Sequence, residues 1–210
     1  MWKRNHPSPH RPKLLILVRL AVLSALFLTI GLPAEYTPYQ AAIIRGHSLR
    51  ATRQYRAAAD SYAQARSMRS QAIQPCLEEA RVNLELGRFR EASVLYRQVF
   101  SRRGVSPEEC TDWGRAYYGL GDVERAMLLW AHAAQQGEPR AHFYLGEICV
   151  AQSNWSEAQE HFEQVLQLSD RRPEDYYTQK ANFWLGLLYS LDFVRSGQAL
   201  TYLRCAGQGP

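Results

Sequence analysis

Six histidines and four cysteines are the side chains of this 210-residue chain best suited to metal or nucleophilic chemistry. Their spacing points away from both. Two histidines bind a metal from one helix face when they lie four apart, as in His-Glu-x-x-His, and a phosphate cradle needs clustered glycines ahead of a helix. Neither His-Glu-x-x-His nor such a glycine cluster occurs. His132, His142 and His161 are scattered and read as helix-face or groove residues. The triplet Asn154-Trp155-Ser156 fits a glycosylation sequon, but its tryptophan carries core spacing, so it reads as turn chemistry. No catalytic residue, metal ligand or cofactor is expected, and the chain is read as not an enzyme.

What the sequence does contain is self-similarity. An apolar residue, an alanine three on, an aromatic four further and a small or β-branched residue three beyond form the recurring pattern. It appears as Tyr55-Ala58-Tyr62-Ala65, Phe89-Ala92-Tyr96-Val99, Val123-Ala126-Trp130-Ala133 and Trp155-Ala158-Phe162-Val165. Steps of three and four place these side chains on one stripe of a helix. A near-constant period of about thirty-four residues is the mark of a repeat array. Ahead of each stripe stands a second helical pattern: Ala42, Gly46 and Leu49; Ala80 and Asn83; Trp113-Gly114 and Tyr117; Leu145-Gly146 and Cys149; Leu185-Gly186 and Tyr189. Pro75, Pro107 and Pro139 sit where a first helical turn tolerates a missing N–H. The small residue lets a partner helix approach closely.

The cysteines fit the same frame. Cys76 and Cys110 occupy equivalent places in neighbouring units. Stacked helices lie about 8–10 Å apart, beyond the roughly 7 Å that a disulfide spans. With Cys149 and Cys205 they read as small core hydrophobes.

Before the array the composition changes. Residues 1–13 are polar, hold Pro7, Pro9 and Pro12, and are expected to be a disordered basic tail. Leu14 to Leu32 is an apolar run broken only by Arg19. As a helix it would span roughly 28 Å, close to a bilayer core of about 30 Å. It is read as a single N-terminal transmembrane anchor, followed by a linker over 33–38; a cleavable signal peptide cut after Ala34 is the alternative. Lys3, Arg4, Arg11 and Lys13 outnumber Arg45 and Arg50 beyond the run, which favours a cytoplasmic N-terminus and an extracytoplasmic array. The formal charge of +5 belongs to this segment, because residues 35–210 balance at 20 basic and 20 acidic side chains. A nucleic-acid partner is therefore not expected. Within the array, residues 35–103 hold 12 basic and 6 acidic side chains, and residues 104–210 hold 8 and 14. A basic half lying against anionic head groups and chance variation over helix surfaces both fit this asymmetry.

Together the two helical patterns resemble the tetratricopeptide repeat family, whose first helix carries Trp, Leu-Gly and Tyr and whose second carries Gly, aromatic, Ala, aromatic and Ala. Trp113, Gly114, Tyr117, Gly121, Ala126, Trp130 and Ala133 follow it nearly throughout. The third unit is two residues short, and Gly137-Glu-Pro-Arg-Ala with Tyr144-Leu-Gly resembles a Sel1-like boundary. The resemblance implies an all-α, right-handed solenoid of about five helix-turn-helix units, near 39–72, 73–106, 107–138, 139–172 and 173–206. It also implies a concave partner-binding groove, carried here by Arg81, Arg115, Tyr118, Arg140, Phe143, Tyr144, Glu147 and Trp184, with Gln74, Leu77, Glu78, Thr111, Phe183 and Leu187 around them. The Lys/Asn set that clamps a C-terminal carboxylate in some family members is absent from these places. The expected function is a membrane-tethered scaffold for protein or peptide partners. The alternative is an accessory subunit of a membrane-embedded envelope biosynthesis or secretion complex, docked through its anchor helix.

Overall fold

The structure is a computed structural model that describes residues 36–170, 175–191 and 196–207. The expected anchor at 14–32, the tail before it and the first half of the linker, 33–35, lie outside that set. Among the described residues no helix is long and apolar enough to cross a membrane.

The described residues form ten helices and no strand: α1 (Pro38–Ala51), α2 (Tyr55–Met68), α3 (Ile73–Glu85), α4 (Phe89–Arg103), α5 (Pro107–Gly119), α6 (Val123–Gln135), α7 (Pro139–Ala151), α8 (Trp155–Leu168), α9 (Tyr176–Leu191) and α10 (Ser196–Ala206). They pair in chain order, and each pair packs on the next, so the all-α repeat architecture expected from the periodicity is the one observed. Local chemistry sets many of the ends. Thr37 with Gln40 and Ser106 with Glu109 form capping boxes, each followed by a proline at the first helical position. Both arrangements satisfy N–H groups that a helix start leaves unpaired. The turns inside units two and three place Gly87 and Gly121 at φ of +70° and +80°, a region glycine enters without steric cost. The equivalent places in units one and four hold Arg53 and Ser153 at φ of +58° and +61°.

The core follows the repeated aromatic. Tyr62, Tyr96, Trp130 and Phe162 are all less than 2% exposed. Each second-helix ring lies on the small residue of its own first helix, at Gly46, Gly114 and Gly146 in units one, three and four. A Cβ at Gly114 would come within 2.4 Å of the Trp130 ring. The Trp130 indole N–H donates to the Thr111 carbonyl at 3.0 Å, which fixes the ring's orientation. Cys76, Cys110 and Cys149 are buried free thiols and Cys205 is half-buried.

Curvature follows from which helices meet across units. First helices touch from unit to unit, as α3 with α5, α5 with α7 and α7 with α9, while among the described residues second helices make no comparable contact with one another. The first helices therefore form the inner wall of the solenoid, and their exposed side chains face the groove.

Candidate partner-binding groove

Two columns of side chains run down the inner wall. Two residues before the small residue of each first helix stand Ile44, Glu78, Asp112, Tyr144 and Trp184; one residue after it stand His47, Arg81, Arg115, Glu147 and Leu187. The groove thus changes character along its length. Units two and three present acids and arginines, and units four and five present aromatics.

In the polar half the acids are buried and the arginines lie over them. Asp112, 6% exposed, accepts from Arg140 Nη1 at 3.2 Å and Arg115 Nη1 at 3.5 Å, with Arg81 Nε at 3.8 Å. Glu78 receives Arg50 at 3.0 Å and Arg81 at 3.2 Å. Arg140 also donates to Glu138 at 2.7 Å and to the Glu108 carbonyl at 3.2 Å. Burial works against the Arg140 charge, but Asp112 and Glu138 outweigh it, so its pKa rises above the ordinary arginine range. A chain of ion pairs therefore ties α1, α3, α5 and α7 together. Taking one partner from such a buried set leaves an uncompensated charge, which costs far more than an exposed pair contributes.

Where the two halves meet, Tyr118, Trp130 and Tyr144 enclose a cavity of about 190 Å³ with Phe89, Arg115, Gly119, Glu147 and Ile148. Tyr144 stacks on Trp130 at 4.9 Å between ring centroids, and Tyr118 tilts over the same ring at 5.7 Å. A polar cavity of about 460 Å³, lined by Arg50, Arg81, Glu85, Glu108, Asp112, Arg115 and Arg140, shares Arg115 with it. Trp184 stacks on Phe162 at 6.0 Å and donates its indole N–H to Glu147. Burial pushes the Glu147 carboxyl above the usual carboxylate range, and the Trp184 bond and Lys180 only partly oppose it.

Of the residues expected in the groove, Tyr118 stands 52% exposed at the cavity rim, with Arg115 beside it. Arg81, Arg115 and Arg140 are present but are tied down by acids that sequence reasoning did not assign to them. The signal was available, because Glu78 and Asp112 are 34 apart and fall at one repeat position. Phe143 requires a correction. It is 4% exposed, because its repeat position, shared with Leu77 and Thr111, is turned to the packed side of the first helix, where its ring meets Phe162 of its own unit and Tyr177 of the next. Tyr144 is half-buried, with its hydroxyl 3.0 Å from that of Tyr177, and so supports the core as well as lining the cavity.

Comparison with known proteins agrees with this architecture. Residues 139–171 match the tetratricopeptide repeat model. No curated protein matches the chain. Among solved structures, PilF of Pseudomonas aeruginosa superposes with a TM-score of 0.66 at 18% identity, over 81% of this chain and 77% of that one. TTC0263, a thermophilic TPR protein of Thermus thermophilus, gives 0.62 at 22% identity, over 80% and 89%. YrrB, described as a TPR protein with an unusual peptide-binding site, gives 0.54 at 17% identity, over 79% and 82%. At these identities the likeness is one of fold.

Proposed function

We propose that the chain is a non-catalytic scaffold that holds a protein or peptide segment along its inner wall, seating an apolar side chain between Tyr118, Trp130 and Tyr144. The observation that carries this reading is the aromatic cavity joined through Arg115 to the arginine–acid groove. The exposed Tyr118 ring beside Arg115, over the half-buried Tyr144, gives contact area at little entropic cost, which is how interface anchors work. The arginines are already largely neutralised by Asp112, Glu78 and Glu138, so their role is to fix the wall and offer remaining N–H groups to a bound backbone. The peptide-binding site named for YrrB supports the reading by its kind. Residues 14–32 are proposed to tether the array to a membrane, with the array on the extracytoplasmic side, on the strength of their length, their apolarity and the flanking basic residues.

Site-specific photo-crosslinking in cells tests the groove. A crosslinker at Tyr118 should trap a partner, while one at Leu128 on a second helix should not. Trapping from Leu128 alone would move the site to the outer wall. A partner trapped only from residues 14–32 would shift the reading to an accessory subunit docked through that segment. Protease added to spheroplasts should digest the array, and a protected array would reverse the proposed orientation.

A further inference from the structure

A second cluster of reactive side chains lies on the outer wall, away from the groove. α7 ends at Ala151 and α8 begins at Trp155, so the short return lays the last turn of α7 against the first turns of α8. Cys149 sits in that last turn. Glu157 and His161 lie four apart on α8 and so share one face. The Cys149 thiol, a Glu157 carboxylate oxygen and a His161 ring nitrogen all lie within 4.8 Å of one another. The thiol is buried, the imidazole half-buried and the carboxylate exposed. On the same wall His142 of α7 brings its Nδ1 to 3.1 Å from Nδ1 of His161.

We infer that Cys149, Glu157 and His161 form a binding site for one divalent metal ion of the zinc class, with His142 positioning His161. The donor set of one sulfur, one imidazole nitrogen and one carboxylate oxygen suits zinc, which takes them at about 2.0–2.3 Å in a tetrahedron. Tetrahedral donors at those lengths lie roughly 3.3–3.7 Å apart. Reaching that spacing from within 4.8 Å takes a contraction of the three groups, to which the exposed Glu157 side chain contributes. Ligation replaces the thiol S–H bond with a metal–sulfur bond, and the proton leaves to solvent. The hydrogen bond between the two histidines fixes the ring. When the His161 Nδ1–H donates to His142, the lone pair of its Nε2 is left for the metal, the arrangement by which outer partners orient metal-bound histidines. Three protein ligands leave a fourth position open. Glu157 and His161 also line a cavity of about 720 Å³ with Met127, Leu128 and Leu145, so that position faces accessible space.

Cobalt titration of the chelator-stripped full chain tests the site. The expected result is one equivalent of Co²⁺ bound with a sulfur-to-cobalt charge-transfer band, displaced by Zn²⁺, and a higher thermal midpoint with either ion. Cys149→Ser should abolish the band. His142→Phe should weaken binding about tenfold to a hundredfold. Because the thiol is buried, Cys149→Ser can lose binding through misfolding; Glu157→Gln, at an exposed position, leaves the apo fold intact and should still weaken binding by about tenfold or more. The proposal fails if the parent chain shows no band, if the band survives Cys149→Ser, or if Glu157→Gln binds as tightly as the parent.

Discussion

Gly114→Ala is the substitution that most directly tests how the third unit is held together and how its pocket is floored. The added Cβ would lie 2.4 Å from Nε1 and 2.7 Å from Cδ1 of Trp130, nearer than carbon atoms sit in folded proteins. The backbone of α5 is fixed by its own helix, so the ring must move. Moving it breaks the 3.0 Å bond from the indole N–H to the Thr111 carbonyl, because that bond depends on the ring's present tilt. Overpacking of a tight core costs about 1–3 kcal/mol, and loss of one buried hydrogen bond about 1 kcal/mol more. Alanine in place of glycine in a helix offsets about 1 kcal/mol of this. The net destabilisation is about 1–3 kcal/mol, and at about 2–4 °C per kcal/mol the thermal midpoint falls by several degrees. Circular dichroism melting with urea titration measures it. Unit two provides an internal control, since Ala80 and Tyr96 occupy the equivalent places and are both fully buried in one core cluster. Adding Trp130→Tyr to Gly114→Ala should therefore recover part of the loss, and the two changes should couple in a double-mutant cycle. An unchanged midpoint for Gly114→Ala alone, or strict additivity of the pair, would refute the contact. The displaced ring should also widen the cavity beneath Tyr118 and weaken partner capture beyond what the loss of stability explains.

Tyr118→Ala should leave the melt nearly intact, since its ring is 52% exposed, and should weaken partner capture by about 2 kcal/mol; Tyr144→Ala should lower the midpoint as well, because its ring stacks on Trp130. Equal melting curves for the two variants would show that Tyr144 does not support the core. Ser153→Gly should raise stability by about 0.5–1 kcal/mol in urea titration, because the left-handed φ of +61° costs a side chain about 1–2 kcal/mol and glycine's greater freedom in the unfolded chain offsets about 0.5–1 kcal/mol of the relief. Burial, with His142 also facing His161, holds both histidines below the ordinary histidine range. The unfolded chain then binds more protons, so their contribution is fully present above about pH 6.5 and is lost as pH falls through the lower folded-state values. Urea midpoints should drop between about pH 7.5 and about pH 5, and the combined His142→Gln and His161→Gln change should flatten that slope; an equally steep slope in the variant would assign the loss to other groups. Glu147→Gln should be neutral or stabilising at about pH 7, since burial penalises the charged form and the Trp184 indole can still donate to the amide oxygen.

The periodicity of the sequence determined which side chains each helix turns toward its own partner. Tyr62, Tyr96, Trp130 and Phe162 recur in register and are buried in the structure, with glycines or alanines facing them. That contact is local: it joins two helices linked by a short turn, so the steps of three and four suffice to specify it. Groove chemistry was legible only as residue type. Periodicity resolves a helix face to about one residue, and Phe143, Tyr144 and Leu145 differ by a single step. Whether such a ring is buried, shared or exposed depends on how far one unit rotates against the next, and that rotation comes from side-chain packing between units. The same rotation brings Arg140 onto Asp112, 28 residues away. The histidine pair on the outer wall joins residues 19 apart on two antiparallel helices. No single helical period links such positions, because their separation in the chain is the length of a hairpin, and their contact exists only once the hairpin has closed.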